Sequence, residues 1–439
     1  MAMLVKYVDS DSTASSAGDG TTSTPYRSLE EAYDDLAGGL TNWYTGSNFN
    51  TNGGVCFVLS GTEVISSGTD AGATRIDKYR GSVSASNDGK TVRYKDWEKH
   101  ETEVGVDAPS GRGTFDLNGN VLLYNADAKY VLFDGIEITS TDTSQGQFFS
   151  WGGAANTIFR DCEFHGQYST SQNFFDSSSG GYQTWFIECK FHNFLGRTGE
   201  LTWTNFDQCW FCFANTSGSD VGEIINGRKN TGIRLSNGSL MTRCMIFVGS
   251  PPNSSPSYFY PLLLKGGASV INCSIYADGV AGSGITPQGY RGNGPILNNL
   301  IQGFSGTDGD GIQLNFENGV MVHAIGGNSV GKCDTAFSPL SSSSSILDNQ
   351  SIASGQTVSG KNGNEDLGDV DLFEKSGNGY DYSNRYSFFE PADQGQVLDQ
   401  AIVYVSGSKH KLDRGAVEAT ASSGGGTGGR NLIDGGLAR

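Results

Sequence analysis

One phrase keeps returning in the pattern of apolar and polar positions between Tyr130 and Phe304. It reads apolar, two free positions, a slot, one free position, apolar. The copies run Phe133 to Ile138, Phe159 to Phe164, Phe186 to Phe191, Phe206 to Phe211, Met241 to Ile246, Val270 to Ile275 and Ile296 to Ile301. The slot holds Ile136, Cys162, Cys189, Cys209, Cys244, Cys273 and Asn299 in turn. Most copies are separated by roughly 20 to 35 residues, a spacing that belongs to solenoids, propellers and arrays. Each copy is rich in Phe, Ile, Val and Thr and gives way to Gly, Ser, Asn and Asp, the composition of strands followed by turns. The connections at 167–184 and 253–267 lack the 3.6-residue apolar period of a helix. The pattern therefore predicts a coil of short parallel strands, each turn burying its apolar positions against those of the next. The slot residues stack into an internal ladder, which Asn328 and Asn349 are expected to continue.

The rest of the chain reads as attachments to this coil. Residues 1–40 hold a strand and a capping helix, with Thr24 and Pro25 as a helix start and Ser28 with Glu31 as a second capping box. Tyr26, Leu29, Tyr33 and Leu36 keep helical spacing until Gly38 and Gly39. Residues 41–120 are irregular first turns, 121–350 the regular coil, and 351–419 late turns and a cap rich in aromatics, from Tyr380 to Phe389. The serines from 341 to 345 form a low-complexity loop. Residues 420–439 are a glycine-rich linker ending in a short apolar-basic peptide, in which Leu432, Ile433, Leu437 and Arg439 are expected to dock into a partner protein.

Apolar-x-x-Asn/Cys-x-apolar phrases of this kind resemble those of the right-handed parallel β-helix proteins of the pectate-lyase-like type. The opening from Lys6 to Ala32 and the segment Asp413 to Glu418 are similar to the ends of that fold. The resemblance implies an all-β solenoid over roughly residues 1–418. Its enzymes act on polysaccharides, as lyases with a basic residue and Asp-bound calcium or as hydrolases with two carboxylates. The tail looks like those of some phage structural proteins.

Composition narrows the partners. The 439 residues carry a formal net charge of −18, which repels nucleic acid and leaves neutral sugars or basic protein surfaces. Without a run of 18 or more apolar residues, no helical membrane span is expected. The first residues lack an apolar signal region, so an export signal is not expected either. Eight cysteines allow a disulfide framework on count alone, but five stand in the ladder slot, which fits buried free thiols better. Cys209 and Cys212 imitate a metal or redox pair, yet residues three apart on a strand face opposite sides, so no metal is expected there.

Residues that could carry chemistry are few. His165 and His192 each follow their slot by three residues and are expected to stack outside one sheet. Lys229, with Arg228 and Arg234, and Lys265 are the basic candidates. Asp308 and Asp310, with Glu317 beyond, form a carboxylate pair suited to hydrolysis or to calcium, although Asp-Gly repeats also make plain turns. Trp185, Trp203, Trp210, Tyr258 and Tyr260 are candidate stacking platforms for glycans, with Trp210 at an outward position.

These features point first to a phage virion structural protein, a capsid decoration or a spike or fibre. Its expected partners are the capsid protein, other virion proteins and cell-surface polysaccharide. The alternative is a polysaccharide lyase or glycosidase, extracellular or resembling a tailspike depolymerase. A surface adhesin is a third reading. A monomer and a homotrimer are both compatible with the sequence.

Overall fold

The computed structural model describes residues 3–37, 54–65, 91–119, 123–124, 129–142, 147–150, 155–166, 173–175, 184–192, 200–213, 230–249, 259–288, 294–306, 309–314, 321–322, 324–338, 345–346, 364–377, 379 and 381–392. Its strands gather into long faces. The first sheet has eleven strands, from Leu4–Asp9 through Lys129–Asp134, Ala155–Arg160, Thr184–Ile187, Thr204–Asp207 and Leu240–Thr242 to Ile325–Gly326. The second also has eleven, from Thr62–Val64 through Glu137–Thr139, Glu163–His165, Lys190–His192, Trp210–Phe213, Met245–Val248 and Leu300–Phe304 to Glu365–Asp366. A third, of six strands, runs from Glu200–Thr202 to Thr335–Phe337, and a three-stranded sheet belongs to the earlier turns. In the three long faces, strand order follows chain order and the pairings are parallel. Successive circuits of the chain thus add strands to the first two faces and, from Glu200 on, to the third as well. The fold is a parallel β-helix.

The recurring phrase is one corner of that helix. Its first apolar residue points inward from the first sheet, where Phe133, Phe159, Phe186, Phe206 and Met241 are in register. Its last points inward from the second, where Ile138, Phe164, Phe191, Phe211 and Ile246 are in register. The phenyl rings stack at 4.6 to 4.9 Å, close to the spacing between neighbouring strands. Between the two apolar residues the backbone bends through a left-handed residue just before the slot: Gly135, Asp161, Glu188, Gln208, Arg243, Asn272 and Asn298, with φ from 51° to 79°. That bend turns the slot residue inward.

The ladder changes chemistry along its length. Cys162, Cys189, Cys209, Cys244 and Cys273 are buried free thiols, each donating weakly to the carbonyl two residues back at 3.3 to 3.5 Å. Burial pushes the Cys162, Cys209 and Cys273 thiols well above their ordinary pKa. Asparagine then takes over. Asn328 Oδ1 accepts from Asn299 N (3.0 Å) and Asn299 Nδ2 (2.9 Å), while Asn328 Nδ2 donates to Ile296 O (2.9 Å) and Asn364 Oδ1 (2.8 Å). Asn364, not the expected Asn349, is the next amide below Asn328, because the loop between them is longer than the earlier spacing suggests. Asn349 lies outside the described residues.

At the N-terminal end a helix spans Leu29–Ala37. It begins after Ser28, whose Oγ accepts from Glu31 N at 3.1 Å, rather than at Thr24. Leu29, Ala32, Tyr33 and Leu36 are buried in the main core cluster. At the other end, residues 367–377 and 381–392 turn back over the outside of the second sheet as a strap. Leu372, Phe373, Phe388 and Phe389 bury Trp210, Cys212, Met245, Phe247 and Leu300 in a second apolar cluster. Gln302 holds the strap by accepting from Leu372 N (2.6 Å) and donating to Asp371 (2.7 Å). No helix among the described residues is long and apolar enough to cross a membrane.

Candidate functional site

The outer face of the second sheet divides into two chemically different halves. One outward row, in register, runs Thr114, Glu137, Glu163, Lys190, Trp210 and Met245. The row beside it runs His165, His192, Cys212 and Phe247. The strap covers the apolar half, from Trp210 onward. The polar half is left half-buried and open to solvent.

That polar half is one hydrogen-bonded network. Glu137 Oε1 pairs with His165 Nε2 at 2.6 Å, and Glu163 Oε1 with His192 Nε2 at 2.9 Å. The two imidazoles stack at 5.5 Å with 15° between their planes, as the spacing of His165 and His192 led us to expect. Glu163 Oε2 also accepts from Arg112 Nη1 (2.6 Å) and Lys190 Nζ (3.3 Å). Arg112 reaches back to Gly135 O at 3.1 Å, which fixes the guanidinium over the bend. At the border with the strap, Lys190 Nζ sits 4.2 Å above the Tyr382 ring, and Arg385 lies against Tyr382 and the exposed Tyr386.

The electrostatics follow from these contacts. Burial acts to raise the Glu163 carboxyl, but hydrogen bonds from His192 and Arg112 and the charge of Lys190 outweigh it and hold the group far below the usual carboxylate range. The hydrogen bond from His165 is the main cause that lowers Glu137. Arg112 loses some stability of its charge to burial and regains more from Glu163, so its pKa is raised. Two carboxylates thus face Arg112 and Lys190, with formal charges that cancel. Arg112 and Lys190 are both bonded to Glu163, while Glu137 is held by His165. Among the described residues, no group of three or more His, Cys, Asp or Glu is placed to hold a metal.

The other expected site residues are scattered. Trp210 is only 3% exposed, because its outward ring lies under the strap against Tyr382 at 5.6 Å; it offers no platform to a sugar. Tyr260 is fully buried, since its strand turns that side chain into the coil. Trp185 is half-buried on the outer face of the first sheet, between Ile158 and Asn205. Asp310 is buried at the start of a third-sheet strand and accepts from Ser338 Oγ at 2.5 Å. Lys265 follows the other end of that sheet, five residues (about 16 Å) further along the strand direction than Asp310 and two strands away from it. Asp308, Lys229, Tyr258, Leu432, Ile433, Leu437 and Arg439 lie outside the described residues.

No protein-family model matches the chain, and no curated relative does. Two solved structures are similar in fold. One is a rhamnogalacturonan lyase, 14% identical with a TM-score of 0.44, covering 85% of this chain and 88% of that one. The other is the pectate lyase Pel9A, 12% identical with a TM-score of 0.41, covering 96% of this chain and 97% of that one.

Sequence reasoning missed Arg112, Glu137, Glu163 and Lys190. A signal existed: the free position after the slot reads Glu137, Glu163, Lys190, Trp210, Met245, which marks both the polar stretch and where it ends. Arg112 precedes the first copy of the phrase and left no such mark.

Proposed function

We propose that this protein is a rigid glycan-binding rod whose ligand, an uncharged polysaccharide, lies across the polar half of the second sheet. The observation that carries this reading is the open, charge-balanced network of Arg112, Glu137, Glu163, His165, Lys190 and His192 on consecutive turns. Sugar hydroxyls both donate and accept, so they suit alternating carboxylates and cations held in place by the coil. A virion protein that meets host glycans and an enzyme that cuts them would both use such a face. Binding is favoured over cutting because hydrolysis by paired carboxylates needs one of them protonated near neutral pH, and both are lowered here.

The test is affinity electrophoresis through gels containing neutral polysaccharides, together with assays for new reducing ends and unsaturated products. Retardation without product formation is expected. Lys190→Ala should weaken retention about tenfold, the effect of losing one charged hydrogen-bond donor. Product release that Glu163→Gln abolishes would replace the binding reading with the enzymatic one. No retardation in any gel would refute it.

A further inference from the structure

A second feature lies around the corner of the coil, where the third sheet passes into the first. Trp203 is 48% exposed and stands at φ 54°, a left-handed conformation that bulky residues rarely adopt. Its indole is not loose. A β-carbon placed on Gly238, one turn on, would lie 2.7 Å from Cζ3 and 3.0 and 3.3 Å from the two carbons bonded to it. Distances so nearly equal arise when the ring is met face-on. One face of the indole therefore rests on glycine backbone. The same contact explains why Gly238, itself at φ 79°, must lack a side chain.

The surroundings fit a sugar. Thr204 pairs with Thr184 and Asn205 with Trp185, which puts Trp203 and Trp185 on neighbouring turns, diagonally offset by two residues. Polar groups border Trp203, namely Thr202, whose Oγ1 meets Ser236 Oγ at 3.2 Å, Asn237 and Asn205, while Trp185 pairs in register with the exposed Ile158. The charged side chains further along the first sheet are paired, Asp134 with Arg160 at 2.6 Å and Asp207 with Arg243 at 2.9 Å, so the face carries little net field. An aromatic ring backed by protein and ringed by hydroxyl and amide groups is suited to the apolar face of a pyranose.

We infer that Trp203 is a second glycan subsite that stacks a pyranose ring of a neutral polysaccharide. The inference rests on the glycan-binding reading above but uses a different face and different residues. The test uses the full chain in affinity gels containing hydroxyethylcellulose, galactomannan or starch, with Trp203→Ala, Trp203→Tyr and Lys190→Ala compared with the parent. Trp203→Ala should weaken retention roughly five- to tenfold, and Trp203→Tyr should restore most of it, because an aromatic face is what the sugar needs. Addition of the retained polysaccharide should also shift the tryptophan fluorescence of the parent and much less that of Trp203→Ala. Retention that Lys190→Ala weakens and Trp203→Ala leaves unchanged, with no fluorescence difference, would overturn the inference and spare the first site. Absence of retention for the parent would overturn both. If Trp203→Ala and Trp203→Tyr lower the melting temperature equally and weaken retention equally, the ring is a packing element and the inference fails.

Discussion

Replacing Asn328 with alanine probes the amide part of the ladder at its centre. The side chain is fully buried and joins three turns through four hydrogen bonds, two accepted from Asn299 and two donated, to Ile296 O and Asn364 Oδ1. Alanine leaves the backbone N–H of Asn299, one of its amide N–H groups and the Ile296 carbonyl without these partners. A buried polar group left unpaired costs about 1–3 kcal/mol, so three of them cost roughly 4 kcal/mol or more. The matching substitution in the thiol part, Cys209→Ala, removes a sulfur whose contacts to Phe186 O and Asp207 O are 3.3 and 3.5 Å. Its cost should be about 1 kcal/mol, the loss of a small apolar group. Equilibrium urea unfolding followed by circular dichroism, at equal slope, gives both values. Asn328→Cys, which restores volume but not hydrogen bonds, should stay close to Asn328→Ala. If Asn328→Ala and Cys209→Ala differ by less than about 1 kcal/mol, the hydrogen bonds of the amide ladder are not what holds those turns.

Other consequences can be measured directly. The native protein should react slowly with a thiol reagent and release all eight thiols only on unfolding, because seven are buried and burial pushes the partly exposed Cys333 up to about 12. A disulfide would show as a deficit in that count. Asp134 is buried, which acts to raise its pKa, but Arg160 and Arg93 lower it from 3.8 to about 2. A lowered carboxyl stabilises the fold above its unfolded pKa and loses that contribution as pH falls through the folded value. About 2 kcal/mol should therefore vanish between pH 4 and pH 2, and Asp134→Asn should flatten that window in acid melts. Phe389→Ala in the strap should cost about 3–5 kcal/mol and shift the emission of Trp210 to the red as water reaches it; an unchanged spectrum would mean that the strap does not shield this ring.

The coil could be read from the sequence because its cause is periodic. Phe159, Cys162 and Phe164 do the same job as Phe186, Cys189 and Phe191 one turn later, so the inward positions repeat even where loops differ in length. The outward positions obey no such rule. Trp210, Cys212 and Phe247 look like surface residues within their own strands and are buried by Phe388 and Leu372, which come much later and share no period with them. Alternation says which side of a strand a residue faces, and not whether another segment covers that side. The polar network was half visible for the same reason. His165 and His192 stood out as a repeated pair, while their partners Glu137 and Glu163 were passed over as free positions. Trp203 stood among the candidate stacking aromatics, but nothing in the sequence marked its left-handed backbone or its seat on Gly238.

The change from thiol to amide along the ladder bears on how the chain finds its winding order. A cysteine rung accepts almost any neighbour of similar size, so the five thiol turns carry no address, and a chain that skipped one during folding would meet little local penalty. An asparagine rung has a direction, giving protons to the turn before it and to the amide after it, and a thiol turn set in the place of that next amide would leave the second bond unmet. The rungs Asn299, Asn328 and Asn364 thus tell an amide neighbour from a thiol one, a distinction that the cysteine part of the spool does not make.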